Sequence, residues 1–88
     1  MRKATATVEN KFGLHARAAV TIVNEASKYA SEIFFVKGDD RINAKSILGV
    51  MVLEAVKGTE IDIEVNGPDE EQALAAILDL FQQKFHEE

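Results

Sequence analysis

The sequence predicts an α+β domain of two layers, an antiparallel sheet with helices against one side, and three observations predict it. Segments of period-two and of helical spacing follow one another in the order β-α-β-β-α-β-α. The segments read as strands are polar on one face, which suits a sheet with one side in water. The 88 residues suffice for one hydrophobic core and not for two, so residues 1–88 are read as a single domain.

The first strand is read over residues 3–8, where Ala4, Ala6 and Val8 share one face and Lys3, Thr5 and Thr7 the other. A first helix runs from Ala16 to about Tyr29, with Ala19, Val20, Val23, Ala26 and Ala30 at three- and four-residue spacing in an alanine-rich stretch. Runs 32–37 and 40–44 are short and β-like, and Gly38 between them supplies the freedom a tight hairpin needs. Ser46 is a favoured N-cap for a short second helix that closes at Gly58 and is weakened in its middle by Gly49. Residues 60–66 form the clearest strand, with Ile61, Ile63 and Val65 against Glu60, Asp62 and Glu64. The last helix starts with Asp69 or a neighbour as N-cap, places Glu70 and Glu71 near the positive end of its dipole, and carries a stripe of Leu74, Ile77, Leu78, Phe81 and Phe85.

Composition narrows the function classes. Cysteine is absent, which excludes disulfides and thiolate metal sites and suits a reducing cytoplasm. No apolar stretch approaches the ~18 residues of a membrane span, so the expectation is a cytoplasmic protein without membrane insertion. A net charge of −5 argues against nucleic acid as a partner. The sign is uneven: Asp69, Glu70, Glu71, Asp79, Glu87 and Glu88 load the last quarter, whereas Arg2, Lys3, Lys11 and Arg17 come early and leave room for a local basic patch.

The chemistry concentrates at "KFGLHARAAV", residues 11–20. His15 falls at a helix entrance, where unpaired N–H groups of Ala16, Arg17 and Ala18 and the positive dipole end favour an anion. The same field disfavours the imidazolium and leaves a neutral nitrogen free to act as a nucleophile. A phosphoryl group captured there could be held by the first-turn amides and by Arg17, with Gly13 letting the backbone turn sharply in front. From the residues alone, an exposed or capping histidine with no reaction to perform is the more ordinary reading. A metal site is disfavoured, because the other histidine, His86, reads as solvated and no further ligand stands at a recognisable spacing. No hydrolytic elbow, phosphate-cradling glycine loop or cofactor motif occurs, so passing a group between larger partners suits the chain better than turning over a small molecule.

The chain resembles the HPr family, the histidine-containing phosphocarriers of the bacterial phosphoenolpyruvate-dependent phosphotransferase system. The likeness spans essentially the whole length: "GLHAR" around His15, "SKY" after the first helix, "AKSILGVM" around Ser46, "KGTEI" before the fourth strand, and the order of elements. It implies an open-faced β-sandwich, a four-stranded antiparallel sheet in order 1-4-2-3 covered on one face by three helices. It also implies that His15 Nδ1 takes a phosphoryl group from phosphorylated enzyme I and gives it to a sugar-specific enzyme IIA, with Arg17 stabilising the group. The family pattern has proline after the arginine, whereas this chain has Ala18. Ser46 corresponds to the serine that HPr kinase/phosphorylase modifies, and the same residue is fully accounted for as a helix N-cap. By resemblance, Ile47, Leu48 and Met51 form an exposed docking patch rimmed by Arg17 and Lys45, while Val50 and Leu53 belong to the core on pattern grounds. No cofactor is implied, and a monomer is the simplest expectation. An alternative of another class is a regulatory protein, a nitrogen-branch relative or a carbon-catabolite co-regulator that binds a transcription regulator. A third is a generic anion-binding module.

Overall fold

The computed structural model describes residues 1–87; Glu88, counted above in the acidic quarter, lies outside them. Strands β1 (Arg2–Thr7), β2 (Glu32–Lys37), β3 (Asp40–Asn43) and β4 (Glu60–Asn66) form one antiparallel sheet in the order β1-β4-β2-β3. Helices α1 (Ala16–Ala26), α2 (Ile47–Val52) and α3 (Glu70–Gln82) follow the expected alternation, and a single turn over Lys84–His86 comes after them. The α+β class and the strand order agree with the expectations above.

The register explains why one side of the sheet is dry. Ala4 lies opposite Ile63 and Ala6 opposite Ile61 across β1 and β4, while Ile33 lies opposite Val65 and Phe35 opposite Ile63 across β2 and β4. Cross-strand partners share a face, so these side chains make one apolar surface. The helices cover it with Ala18, Ala19, Ile22 and Ala26 from α1, Val50 from α2, and Ala73, Ile77, Leu80 and Phe81 from α3. Each large aliphatic or aromatic side chain so buried stabilises the fold by ~1.5–3 kcal/mol relative to exposure. The other face is wet and charged. Thr5 Oγ1 donates to Asp62 at 2.8 Å, Arg41 Nε donates to Glu64 at 3.1 Å, and the Arg41 guanidinium lies 3.8 Å from the Phe34 ring centroid.

Several element ends differ from the expected ones, each for a local reason. The α1 helix stops at Ala26, because the Lys28 and Tyr29 amides bond three residues back, to Glu25 and Ala26, and tighten the chain out of the helix. Its buried stripe runs through Ala18, Ala19, Ile22 and Ala26, which leaves Val20 42% exposed instead of in the core. The α2 helix ends at Val52 and not near Gly58: Glu54 takes a left-handed φ of 50°, and Gly58 N–H instead donates to Val8 O at 2.7 Å on the approach to β4. The α3 helix ends at Gln82, so Phe85 reaches the core from the following turn and not from the helical stripe.

Asp69 stands at the N-cap position of α3 without capping it. Its carboxylate reaches across to accept the Ala30 and Ser31 amides, both at 2.9 Å, and the Ser31 hydroxyl. These bonds, the Ser31 hydroxyl foremost and the Ala30 amide next, hold its carboxyl below the usual aspartate range. Glu70 accepts the Gly67 amide at 3.1 Å, and that bond likewise holds its carboxyl low.

Candidate functional site

The loop before α1 is built to deliver one residue. Asn10 is wholly buried; its Nδ2 donates to Gly13 O at 2.7 Å while Gly13 N–H donates to Asn10 O at 3.2 Å, closing residues 10–13 from side chain and backbone together. Gly13 has φ 68°, and a Cβ there would collide with the Ala55 carbonyl oxygen, so only glycine fits. Leu14 N–H then donates to the same Ala55 O at 2.9 Å and its side chain enters the core. His15 follows with extended backbone as the N-cap of α1.

The two ring nitrogens of His15 have different partners. Arg17 N–H donates to Nδ1 at 3.3 Å, so Nδ1 presents a lone pair. Nε2 lies 2.7 Å from Glu87 Oε2, an acceptor, so Nε2 carries the hydrogen. Both contacts select the same tautomer. The Phe12 ring meets the imidazole edge-on at 5.9 Å, and the His15 side chain remains 31% exposed.

Glu87 was legible only as part of an acidic run. In the fold its side chain is 8% exposed, and Oε1 accepts Asn10 Nδ2 at 2.7 Å while Oε2 faces His15. Among the described residues Asn10 Oδ1 is buried without a hydrogen-bond partner, an arrangement that costs roughly 1–3 kcal/mol. No spacing rule joins Asn10, His15 and Glu87, because the closing contact spans the length of the sequence.

Around Nδ1 the first turn of α1 is open. Ala16, Arg17 and Ala18 contribute N–H groups that have no intrahelical acceptor, and no acidic residue stands in this turn. The Ala18 methyl itself is wholly buried. The Arg17 guanidinium, with Lys11, Phe12, Lys57 and Glu87, lines a cavity of about 460 Å³. On the other side of Phe12, a shallower hollow of about 300 Å³ is lined by His15, Met51, Ala55 and Val56 among others. The early basic residues therefore separate. Arg2 pairs with Glu70 and Glu71 and Lys3 with Glu64, while Lys11, Arg17 and Lys57 line one cavity together with Glu87.

Ser46 caps α2, its Oγ accepting Gly49 N–H at 3.0 Å, and it stays exposed. Ile47, Leu48 and Met51 are exposed by 42%, 75% and 38%, while Val50 and Leu53 are buried, so the expected division between surface and core holds. Lys45 is half-buried and donates through Nζ to Tyr29 O at 2.7 Å, which ties α2 to the end of α1. Phe12, Val20, Val52 and Val56 are exposed as well, and Phe12, Met51 and Val56 line one hollow. Among the described residues no group of acids and histidines is placed to hold a metal ion, and no helix is long and apolar enough to cross a membrane.

Comparison with known proteins decides what this arrangement belongs to. The family model described as "PTS HPr component phosphorylation site" matches residues 2–83. The chain belongs to the HPr phosphocarrier family. The phosphocarrier protein HPr of Treponema pallidum is 51% identical over 84 residues, covering 96% of each chain. That of Neisseria meningitidis serogroup A is 45% identical over 87 residues, covering 99% of this chain and 98% of its own. The crystal structure of HPr-C-His from Thermoanaerobacter tengcongensis superposes with a TM-score of 0.96 at 43% identity, covering 100% of this chain and 99% of that one. As an HPr-family member the chain is a phosphoryl carrier of the phosphotransferase system, and its partners are proteins of that system.

Proposed function

We propose that His15 Nδ1 is the atom that carries the phosphoryl group, taking it from phosphorylated enzyme I and passing it to a sugar-specific enzyme IIA. The observation that carries this reading is the pair of contacts on the ring: Nδ1 offers its lone pair toward the open turn of α1, while Nε2 keeps the proton. In the transfer, the bond from phosphorus to the donor nitrogen breaks as the bond to Nδ1 forms. The Arg17 N–H, held to Nδ1 by a long 3.3 Å contact, is then released to a phosphoryl oxygen. The amides of Ala16 and Ala18 lie in the same turn, and the Arg17 guanidinium brings a charge suited to the phosphoryl oxygens. In this reading the carrier works as one copy, since all of these groups come from one chain.

Docking in this reading uses the apolar surface of Ile47, Leu48 and Met51 with Phe12, Val20, Val52 and Val56, beside Arg17 and Lys45. A small apolar centre with a charged rim suits brief contact with several partners. Ser46 is the regulatory site. A phosphate at this N-cap interacts favourably with the dipole and places nearly two negative charges beside the docking surface, which slows transfer at His15. HPr kinase/phosphorylase is the enzyme that would add it, and the Ser46-modified form is the one suited to a transcription regulator. Failure of an active kinase to modify Ser46 counts against this part alone.

The decisive experiment is incubation of the purified chain with phosphoenolpyruvate and enzyme I. The expected product is an acid-labile, alkali-stable phosphohistidine on His15. A chain that stays unlabelled while a known carrier is labelled in the same mixture overturns the reading.

A further inference from the structure

The segment after α3 follows an unusual path. Lys84, Phe85 and His86 all have left-handed φ, at 52°, 56° and 62°, a conformation that side chains disfavour residue by residue. Two anchors hold the segment in place. Phe85 is buried against Phe81 with ring centroids 4.9 Å apart, and Glu87 lands in the site with both carboxylate oxygens engaged, one by Asn10 Nδ2 and one by His15 Nε2. Asn10 spends its amide on Gly13 O and on Glu87 while leaving its own buried carbonyl oxygen unpartnered, so this asparagine is poorly placed for stability and well placed to hold a carboxylate.

We propose that Glu87 is a positioning residue for His15, held by Asn10, that fixes the ring as its Nε2–H tautomer and faces the positive charge the ring acquires on phosphorylation. The inference rests on the phosphohistidine reading and names a further participant in it. When Nδ1 gains phosphorus it has no proton to lose, and Nε2 retains its own, so the product ring is a phosphorylated imidazolium. The Glu87 carboxylate stands 2.7 Å from that Nε2, on the side of the ring away from Nδ1, and so offers charge without competing for the phosphoryl position. The arrangement resembles in logic a carboxylate that orients a catalytic imidazole: it touches no substrate and acts through the histidine.

The test uses the full chain with Glu87→Ala and Glu87→Gln, each checked for an unchanged thermal melt. Nitrogen-15 spectra of unphosphorylated His15, recorded where the ring is neutral, should show the Nε2–H tautomer in the parent and a mixture with Nδ1–H in Glu87→Ala. Loss of one charge-assisted hydrogen bond should slow phosphoryl transfer from enzyme I about tenfold. Glu87→Gln, which keeps a carbonyl acceptor without the charge, should restore the tautomer and only part of the rate. An unchanged tautomer ratio and unchanged transfer rate in Glu87→Ala overturn the proposal. If the parent itself is never labelled at His15, the phosphocarrier reading fails, while the ring spectra still decide whether Glu87 sets the tautomer.

Discussion

Two helices of this protein begin in opposite ways. The start of α3 supplies its own anions: Asp69 takes the amides of Ala30 and Ser31, Glu70 takes that of Gly67, and Glu70 and Glu71 occupy the first turn. The start of α1 has no acid in its first turn and carries Arg17 there, a cation where the dipole disfavours one by ~0.3–1 kcal/mol. Its buried carboxylate, Glu87, is directed to the ring and not to the amides. One start carries carboxylates of its own, and the other carries a cation and no carboxylate in its first turn. The difference teaches where a visiting phosphoryl group is to be sought, and the predictions below try to erase it.

The largest effect should come from His15→Ala, which leaves the open turn but removes the atom proposed to carry the phosphoryl group. Labelling by phosphoenolpyruvate and enzyme I should vanish, and the melting midpoint should fall by a few degrees, because α1 loses its side-chain cap and the 8% exposed Glu87 side chain loses its contact with His15. Retained alkali-stable label would place the carrier atom elsewhere. Next is Leu48→Asp, which puts charge on an apolar side chain that is 75% exposed. Affinity for enzyme I, measured by calorimetry, should fall about tenfold, as for an ordinary anchor residue. Equal loss of thermal stability would show that Leu48 supports the core.

The contrast between the two helix starts was only partly visible in the sequence. The alternation Ile61, Ile63, Val65 against Glu60, Asp62, Glu64 declares β4, because strand period and burial coincide there. His15, Arg17 and the first-turn amides are also local, so a helix entrance with a nucleophile can be read from ten residues. Glu87 and Asn10 are not local: one is joined to His15 across the whole fold and the other is polar yet wholly buried, so neither period nor composition marks it. Asp69 was readable as a helix start, but its carboxylate is used by the backbone before β2, a choice made by tertiary packing. Val20 and Val56 read as apolar and stand exposed, because hydrophobicity marks a surface worth covering and does not say whether the cover is the core or a partner.

At the acidic start, Asp69→Asn should lower the melting midpoint by several degrees at neutral pH. The sign follows from the direction of its shift: the folded carboxyl titrates below the unfolded value of ~3.9, so its stabilisation is present above that pH and is lost as pH falls through the lowered value. The gap between parent and variant, measured by thermal melts from pH 7 down to pH 2, should therefore be constant above about pH 5 and narrow in acid. A gap that does not narrow would mean the charge of Asp69 is immaterial and only its shape counts.

The smallest effect should come from Ala18→Pro, which removes one amide from the open start and sharpens the comparison most finely. Ala18 lies in the first turn, where the missing N–H breaks no helical bond and no helical carbonyl stands four residues back to clash with the ring. Proline restricts the unfolded chain and so stabilises by ~0.4–1 kcal/mol, which for a domain this size is a rise of a few degrees in melting midpoint. Against this, Ala18 is wholly buried, and added ring atoms there strain the packing beside Ile22 and Ala19. The two effects oppose each other, so the melting midpoint should move by less than about 4 °C in either direction. Transfer should change less than about threefold, because the amides of Ala16 and Arg17 and the Arg17 guanidinium remain to hold the anion. A tenfold loss would instead single out the Ala18 N–H as the donor that receives the phosphoryl oxygen.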